Sequence, residues 1–112
     1  MERMDDFDSA LGEAVEQALR EVLGETGKEA ICRHLHSMGG LPESGIPEDI
    51  EKFHSALNQI FGIGTPVIEK CILKILCSKL GVTLVDRPQF NFIELLDEVR
   101  RSIQNRALNF KT

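Results

Sequence analysis

Hydrophobic residues recur at helical spacing from the start of the chain. A first stripe follows the i, i+3, i+4, i+7 rule and predicts a helix that begins after Asp8 or Ser9 and ends at Gly24. Its apolar members are Leu11, Ala14, Val15, Ala18, Leu19, Val22 and Leu23. A capping box at Thr26–Glu29 then predicts a second helix, which the glycine pair Gly39–Gly40 ends.

The middle of the chain predicts two further helices joined by a short corner. After a loop rich in Gly, Pro and Ser, Pro47–Asp49 form a favourable first turn for a third helix. Its apolar stripe consists of Ile50, Phe53, Leu57, Ile60 and Phe61. A fourth helix is predicted to begin near Thr65–Pro66 and to end at Leu80, with Gly81 as its stop.

The fourth predicted helix is apolar around most of its circumference, which is typical of a helix that others surround. Its polar positions are Glu69, Lys70, Lys74, Ser78 and Lys79. Residues 82–88 are predicted to be a connector, because one short β-favouring run without a partner strand forms no sheet. The capping pair Asn91–Glu94 then opens a fifth helix. The pattern predicts one all-α domain over residues 1–112, a compact bundle of about five helices around a central helix at about residues 65–80.

The composition is typical of a single domain that folds without disulfide bonds or a structural metal. An apolar content of 42% in 112 residues is enough to build a core. The three cysteines, Cys32, Cys71 and Cys77, are an odd number within apolar helical patterns, so we expect free thiols and a cytoplasmic setting. Lysines interrupt the longest apolar runs and the N-terminus is acidic, so neither a membrane span nor a signal peptide is expected.

The net charge of −5 hides a difference between the two halves of the chain. Residues 1–51 hold 13 acidic and 4 basic residues, whereas residues 52–112 hold 5 acidic and 9 basic ones. This polarity is compatible with attraction between the halves of one fold, with head-to-tail association of copies, and with a nucleic-acid contact through the basic half.

The corner between the third and fourth helices has two interpretations. In helix-hairpin-helix modules, a Gly-hydrophobic-Gly turn brings backbone N–H groups to a nucleic-acid phosphate at the positive end of the second helix. The matching residues here are Gly62, Ile63, Gly64, Thr65, Lys70 and Lys74. Ile68 stands where such modules prefer a small residue, and Pro66 lacks an N–H group. The alternative is a plain corner, in which Gly62 ends one helix and Pro66 begins the next.

A metal site and an active site are weaker hypotheses. Cys32 and His36 share a helix face at i, i+4, whereas His34 points elsewhere, so at most two of the three residues could bind one ion. The chain has no Gly-x-Ser-x-Gly elbow, no Walker loop and no His-Glu-x-x-His motif. We therefore expect neither a catalytic site nor a cofactor, and Cys32 and His36 remain only weak metal candidates.

The order of motifs resembles a known group of archaeal proteins. The matching segments are Glu29–Leu35, Ile46–Pro47, Phe53–Gly62, Val67–Lys70 and Leu80–Gly81. Over about residues 10–81 the chain is similar to the Nitrosopumilus output domain family of small, largely uncharacterised helical proteins, which also occurs fused to signalling or regulatory modules. The resemblance implies a helical fold and a loose regulatory role, with no catalytic residues.

These features together predict a non-enzymatic helical interaction or output module. It would present a face of the first or the fifth predicted helix to a protein partner or to a second copy of itself. The alternative is a nucleic-acid-binding module that uses the Gly62–Gly64 turn.

Overall fold

The computed structural model describes residues 3–84 and 89–111, with side chains over 7–84 and 89–104, and the regular elements in these ranges are all helical. The elements are α1 at Arg3–Ser37, α2 at Ile50–Phe61, a 3-10 turn at Gly62–Gly64, α3 at Thr65–Leu80 and α4 at Phe92–Lys111. The all-α prediction is confirmed, but the described ranges contain four α-helices and one 3-10 turn rather than five helices.

The N-terminal half differs most from the prediction, because the first two predicted helices form one element. Gly24 lies inside α1 with φ 80° and ψ 173°, so the chain kinks there and the helix then resumes. The predicted start at Asp8 or Ser9 is also wrong, since α1 already runs from Arg3. Gly24 is non-helical at the place where the sequence predicts the first helix to end, so two helical segments meet there within α1.

Ion pairs join the two sides of this kink. Lys28, after the kink, places its Nζ 3.2 Å from Glu16, which lies before it, and 3.0 Å from Glu25. Arg20 Nε donates to Glu25 at 2.8 Å, again across the kink. The hydrogen bond that Lys28 donates to Glu25 raises the pKa of Lys28, with a further contribution from its hydrogen bond to Glu16. These ion pairs link the two helical segments across the kink.

Replacing Gly24 by alanine is expected to lower the free energy of unfolding by about 1–3 kcal/mol. A Cβ at Gly24 would meet no atom within 4 Å, so the cost comes only from a backbone conformation that side chains disfavour. Gly64→Ala is the matched control, because Gly64 has φ −82° and an open environment. Urea denaturation of both variants measures the difference, and equal stabilities would contradict the strain at Gly24.

The α2–α3 hairpin follows the sequence prediction closely. Gly62, with φ 55°, ends α2, and its N–H donates to the Asn58 carbonyl. Gly81 adopts the left-handed conformation after Leu80, as predicted for a helix stop. The predicted helical first turn at Pro47–Asp49 is wrong: Asp49 is an extended N-cap whose side chain accepts from the Lys52 N–H at 3.2 Å.

The core forms where α3 meets the other helices. Helix α3 contacts α1, α2 and α4, and its contact with α1 is the most extensive. Lys79 Nζ lies 3.0 Å from Glu13 and Cys71 Sγ lies 4.0 Å from Glu21, so α1 and α3 run antiparallel. Among the described residues, no helix is long and apolar enough to cross a membrane. The buried residues of α3 are Thr65, Ile68, Glu69, Ile72, Leu73 and Leu76.

Candidate functional site

The corner between α2 and α3 presents apolar side chains to solvent. Ile63 is fully exposed in the 3-10 turn, and Val67, one helical turn later, is 63% exposed. Pro66 between them is exposed as well. We call Ile63, Pro66 and Val67 the corner surface. The fourth predicted helix was expected to be surrounded by the others, and this is wrong at the N-terminal turn of α3, where Pro66 and Val67 are exposed.

The backbone of this corner is largely occupied with its own hydrogen bonds. The Gly62 N–H donates to the Asn58 carbonyl, and the Thr65 N–H donates to the Gly62 carbonyl. Thr65 is buried, and its hydroxyl donates to the same Gly62 carbonyl at 2.8 Å. The Gly62 and Thr65 N–H groups are therefore engaged within the corner, and Pro66 has no N–H group to offer a phosphate.

The two lysines of the nucleic-acid hypothesis lie farther along the exposed side of α3. Lys70 and Lys74 are both exposed, at positions that follow Ile63 and Val67 at helical spacing. The Lys70 ammonium lies 5.5 Å from the centre of the Phe90 ring. The exposed side of this hairpin thus begins with aliphatic residues and continues with positive charges.

Cys32 and His36 lie together at a separate site, in an open groove of about 700 Å³ between α1 and the loop that follows it. The His36 Nδ1 lies 3.0 Å from the Leu41 carbonyl oxygen. Burial raises the pKa of the Cys32 thiol, so the thiolate that a metal requires is disfavoured. Among the described residues, no group of three or more His, Cys, Asp or Glu side chains is placed to hold a metal ion.

A pair of side chains that the sequence did not predict joins α2 to α3. Glu69 was expected at a polar position, but its side chain is only 2% exposed, and it forms a hydrogen bond with Nδ1 of His54. Burial raises the pKa of the Glu69 carboxyl, and the hydrogen bond with His54 offsets part of this effect. Asn58 lies one turn after His54 on α2, and Thr65 lies one turn before Glu69 on α3. Because Asn58 and Thr65 are also in contact, the two helices run antiparallel here.

A residue of α4 packs against the His54–Glu69 pair. The ring of Phe92, the first residue of α4, stacks against the His54 imidazole with 6.4 Å between centroids and 27° between planes. The Asn91 side chain accepts from the Glu94 N–H at 3.0 Å, as the predicted cap requires. The His54 side chain remains 39% exposed, so one edge of the ring is open to solvent. Three helices thus position a single histidine.

Comparison of the chain with models of protein families, with curated proteins and with solved structures finds no match. The resemblance to the Nitrosopumilus output domain family stays a prediction.

Proposed function

We propose that this chain is a non-enzymatic helical interaction module whose contact surface is the corner surface. The observation that carries the proposal is the exposure of two large aliphatic side chains, Ile63 and Val67, at neighbouring positions. Apolar surface gains free energy when a partner removes it from water. Neither side chain is needed to fill the core, so both are available for a contact.

The surrounding charges define the chemistry of the partner. Lys70 and Lys74 continue the corner surface along α3, which favours a partner whose apolar contact is flanked by carboxylates. A second copy of this chain offers such carboxylates along the exposed side of α1, and it is the partner that we propose. The exposed acidic residues of α1 are Glu13, Glu16, Glu21, Glu25 and Glu29. Three of them, Glu13, Glu16 and Glu25, also pair with a lysine or arginine of their own chain, so a partner's lysines would have to share or replace these contacts.

The size of the corner surface sets the expected strength of this association. Stable interfaces bury about 800 Å² on each partner, which is far more than two aliphatic side chains supply. The association is therefore expected to be weak and to depend on concentration. A regulatory or output role is part of the proposal, and its support is the sequence resemblance over about residues 10–81.

Replacing both Ile63 and Val67 by serine is expected to abolish self-association without unfolding the domain, because both side chains are exposed. Sedimentation velocity over a concentration series measures the weight-average mass of each variant. The matched control is Lys52→Ser with Gln59→Ser, which shortens two exposed side chains of α2 outside the corner surface. A wild-type chain that stays monomeric, or a serine variant that associates as strongly, would contradict the proposal.

The alternative is a nucleic-acid contact at the Gly62–Gly64 turn, which the exposure of Lys70 and Lys74 favours. It predicts that binding of a short duplex, measured by fluorescence anisotropy, weakens as salt rises from about 50 to 200 mM. Exchanging Lys70 and Lys74 for glutamate would then remove about two units from the salt slope. Duplex binding with this behaviour, by a chain that does not self-associate, would replace the interaction proposal.

A further inference from the structure

We propose that His54 is a phosphoryl-acceptor site, with Nε2 as the nucleophile and Glu69 as the residue that positions and supports it. The arrangement that carries this inference is a half-exposed imidazole whose Nδ1 is hydrogen-bonded to a buried carboxylate. Nothing in the interaction-module proposal uses this pair, and the two proposals stand or fall separately.

The hydrogen bond with Glu69 decides which nitrogen of His54 can react. An ionised carboxylate only accepts hydrogen bonds, so beside it the proton of a neutral imidazole belongs on Nδ1. The lone pair is then on Nε2, at the opposite edge of the ring. Within the described residues, no hydrogen bond or ion pair engages Nε2. The nucleophilic nitrogen therefore lies at the edge that a phosphoryl donor can approach.

The reaction balances with a donor of the phosphoramidate or acyl-phosphate class. With phosphoramidate, the Nε2 lone pair attacks phosphorus, the Nε2–P bond forms, and the P–N bond of the donor breaks. Phosphoramidate reacts in its N-protonated form, so the electron pair of that bond leaves with the departing nitrogen as neutral ammonia. The imidazole keeps its Nδ1 proton and becomes positively charged, as a histidine does when it acts in a catalytic triad. Glu69 faces that charge directly and stabilises it.

The surroundings of the pair also suit the product. Phe92, which packs on the imidazole, is the first residue of the 20-residue helix α4, so the positive end of that helix dipole lies beside the ring. A phosphoryl group carries about −1.5 to −2 charge at neutral pH, and a helix N-terminus favours negative charge. The nucleophile, the carboxylate and the helix end thus come from α2, α3 and α4.

Two other histidines of the chain serve as internal controls. His34 and His36 are both exposed on α1. His36 is the closer match to His54, because its Nδ1 also has a partner, but that partner is the neutral carbonyl oxygen of Leu41. His36 differs from His54 at Nε2 as well, which lies 4.0 Å from the exposed Glu43 carboxylate. The comparison with His36 therefore shows whether His54 is the more reactive histidine, and the Glu69→Gln variant isolates the effect of the buried carboxylate.

The test is incubation of the full chain with phosphoramidate, followed by intact-mass spectrometry, fragmentation to locate the site, and ³¹P NMR. We expect one acid-labile phosphoryl group on His54, formed about tenfold or more faster than on His34 or His36. His54→Gln is expected to abolish it. If that variant fails to fold because Glu69 loses its partner, the double variant His54→Gln with Glu69→Gln provides the unreactive control.

Glu69→Gln tests the carboxylate separately, because glutamine keeps the acceptor oxygen and the size of the side chain but carries no charge. We expect the rate at His54 to fall about tenfold or more, towards that of His36. We also expect the rate against pH to change shape, which a purely structural role for Glu69 would not cause. Equal rates at the three histidines, or an unchanged rate in folded Glu69→Gln, would overturn the proposal.

Discussion

Replacing Phe53 by alanine is expected to lower the free energy of unfolding by about 3–5 kcal/mol. The Phe53 side chain is fully buried, and its ring lies 6.3 Å from that of Phe92, so it joins α2 to α4 within the core. Truncation removes this apolar burial and leaves a cavity that rigid neighbouring helices fill only in part. Since domains of this size are stable by about 5–15 kcal/mol, urea denaturation should show a large fall in the midpoint.

Phe90→Ala is the control for this prediction. Phe90 is half-buried and its ring faces the ammonium of Lys70, so we expect a loss of only about 1 kcal/mol. If the two alanine variants were equally stable, the placement of Phe53 at the centre of the core would be wrong.

Replacing His54 by alanine is expected to destabilise the fold, whereas Glu69→Gln is not. Alanine leaves a buried carboxylate without its hydrogen-bond donor, which costs about 1–3 kcal/mol when water reaches the site only in part. The half-exposed position of His54 places the cost below that of a fully buried pair. Glutamine at position 69 keeps an acceptor for the His54 Nδ1 proton and removes the buried charge.

The same pair should make stability depend on pH with a definite sign. The pKa of Glu69 is raised by burial, so the folded state binds a proton more tightly at this carboxyl than the unfolded state does. This contribution is fully present below the unfolded glutamate pKa of about 4.3 and is lost as the pH rises through the folded value. The stability of Glu69→Gln relative to wild type should therefore increase over that range.

Urea denaturation at a series of pH values checks both statements. Glu29→Gln is a suitable control, because it makes the same change of side chain at an exposed position of α1. A difference between Glu69→Gln and wild type that stays constant with pH would show that the carboxyl titrates equally in the folded and unfolded states.

The helical elements were largely predictable because their signals are local. Thr65 to Leu80, with Gly81 as its stop, and the cap of α4 at Asn91 agree with the structure. Capping and left-handed glycines depend on a few consecutive residues, so the sequence contains them directly. Gly24 was correctly recognised as a break, but the ion pairs that Lys28 makes across it join positions that no local sequence pattern connects.

The His54–Glu69 pair was not predictable in the same way. Its partners are separated by 15 positions, and a glutamate among apolar residues of a helix looks like a solvent-facing position. Only the antiparallel packing of α2 on α3 shows that Glu69 faces inwards. The one available signal was spacing: Thr65, Glu69 and Ile72 recur at i, i+4, i+7 on the face that proves to be buried. The exposure of Ile63 and Val67 likewise follows from packing, because aliphatic residues of a helix are usually assigned to the core.

The central claim is that the corner surface is where this module makes its contact. A ¹⁵N–¹H NMR dilution series of the wild-type chain tests it most directly, because it detects weak association and locates it by residue. The account predicts amide shifts or line broadening that grow with concentration at residues 62–70 and near the exposed glutamates of α1, and that vanish when Ile63 and Val67 are both serine. Spectra that do not change with concentration, or changes confined to other helices, would contradict it.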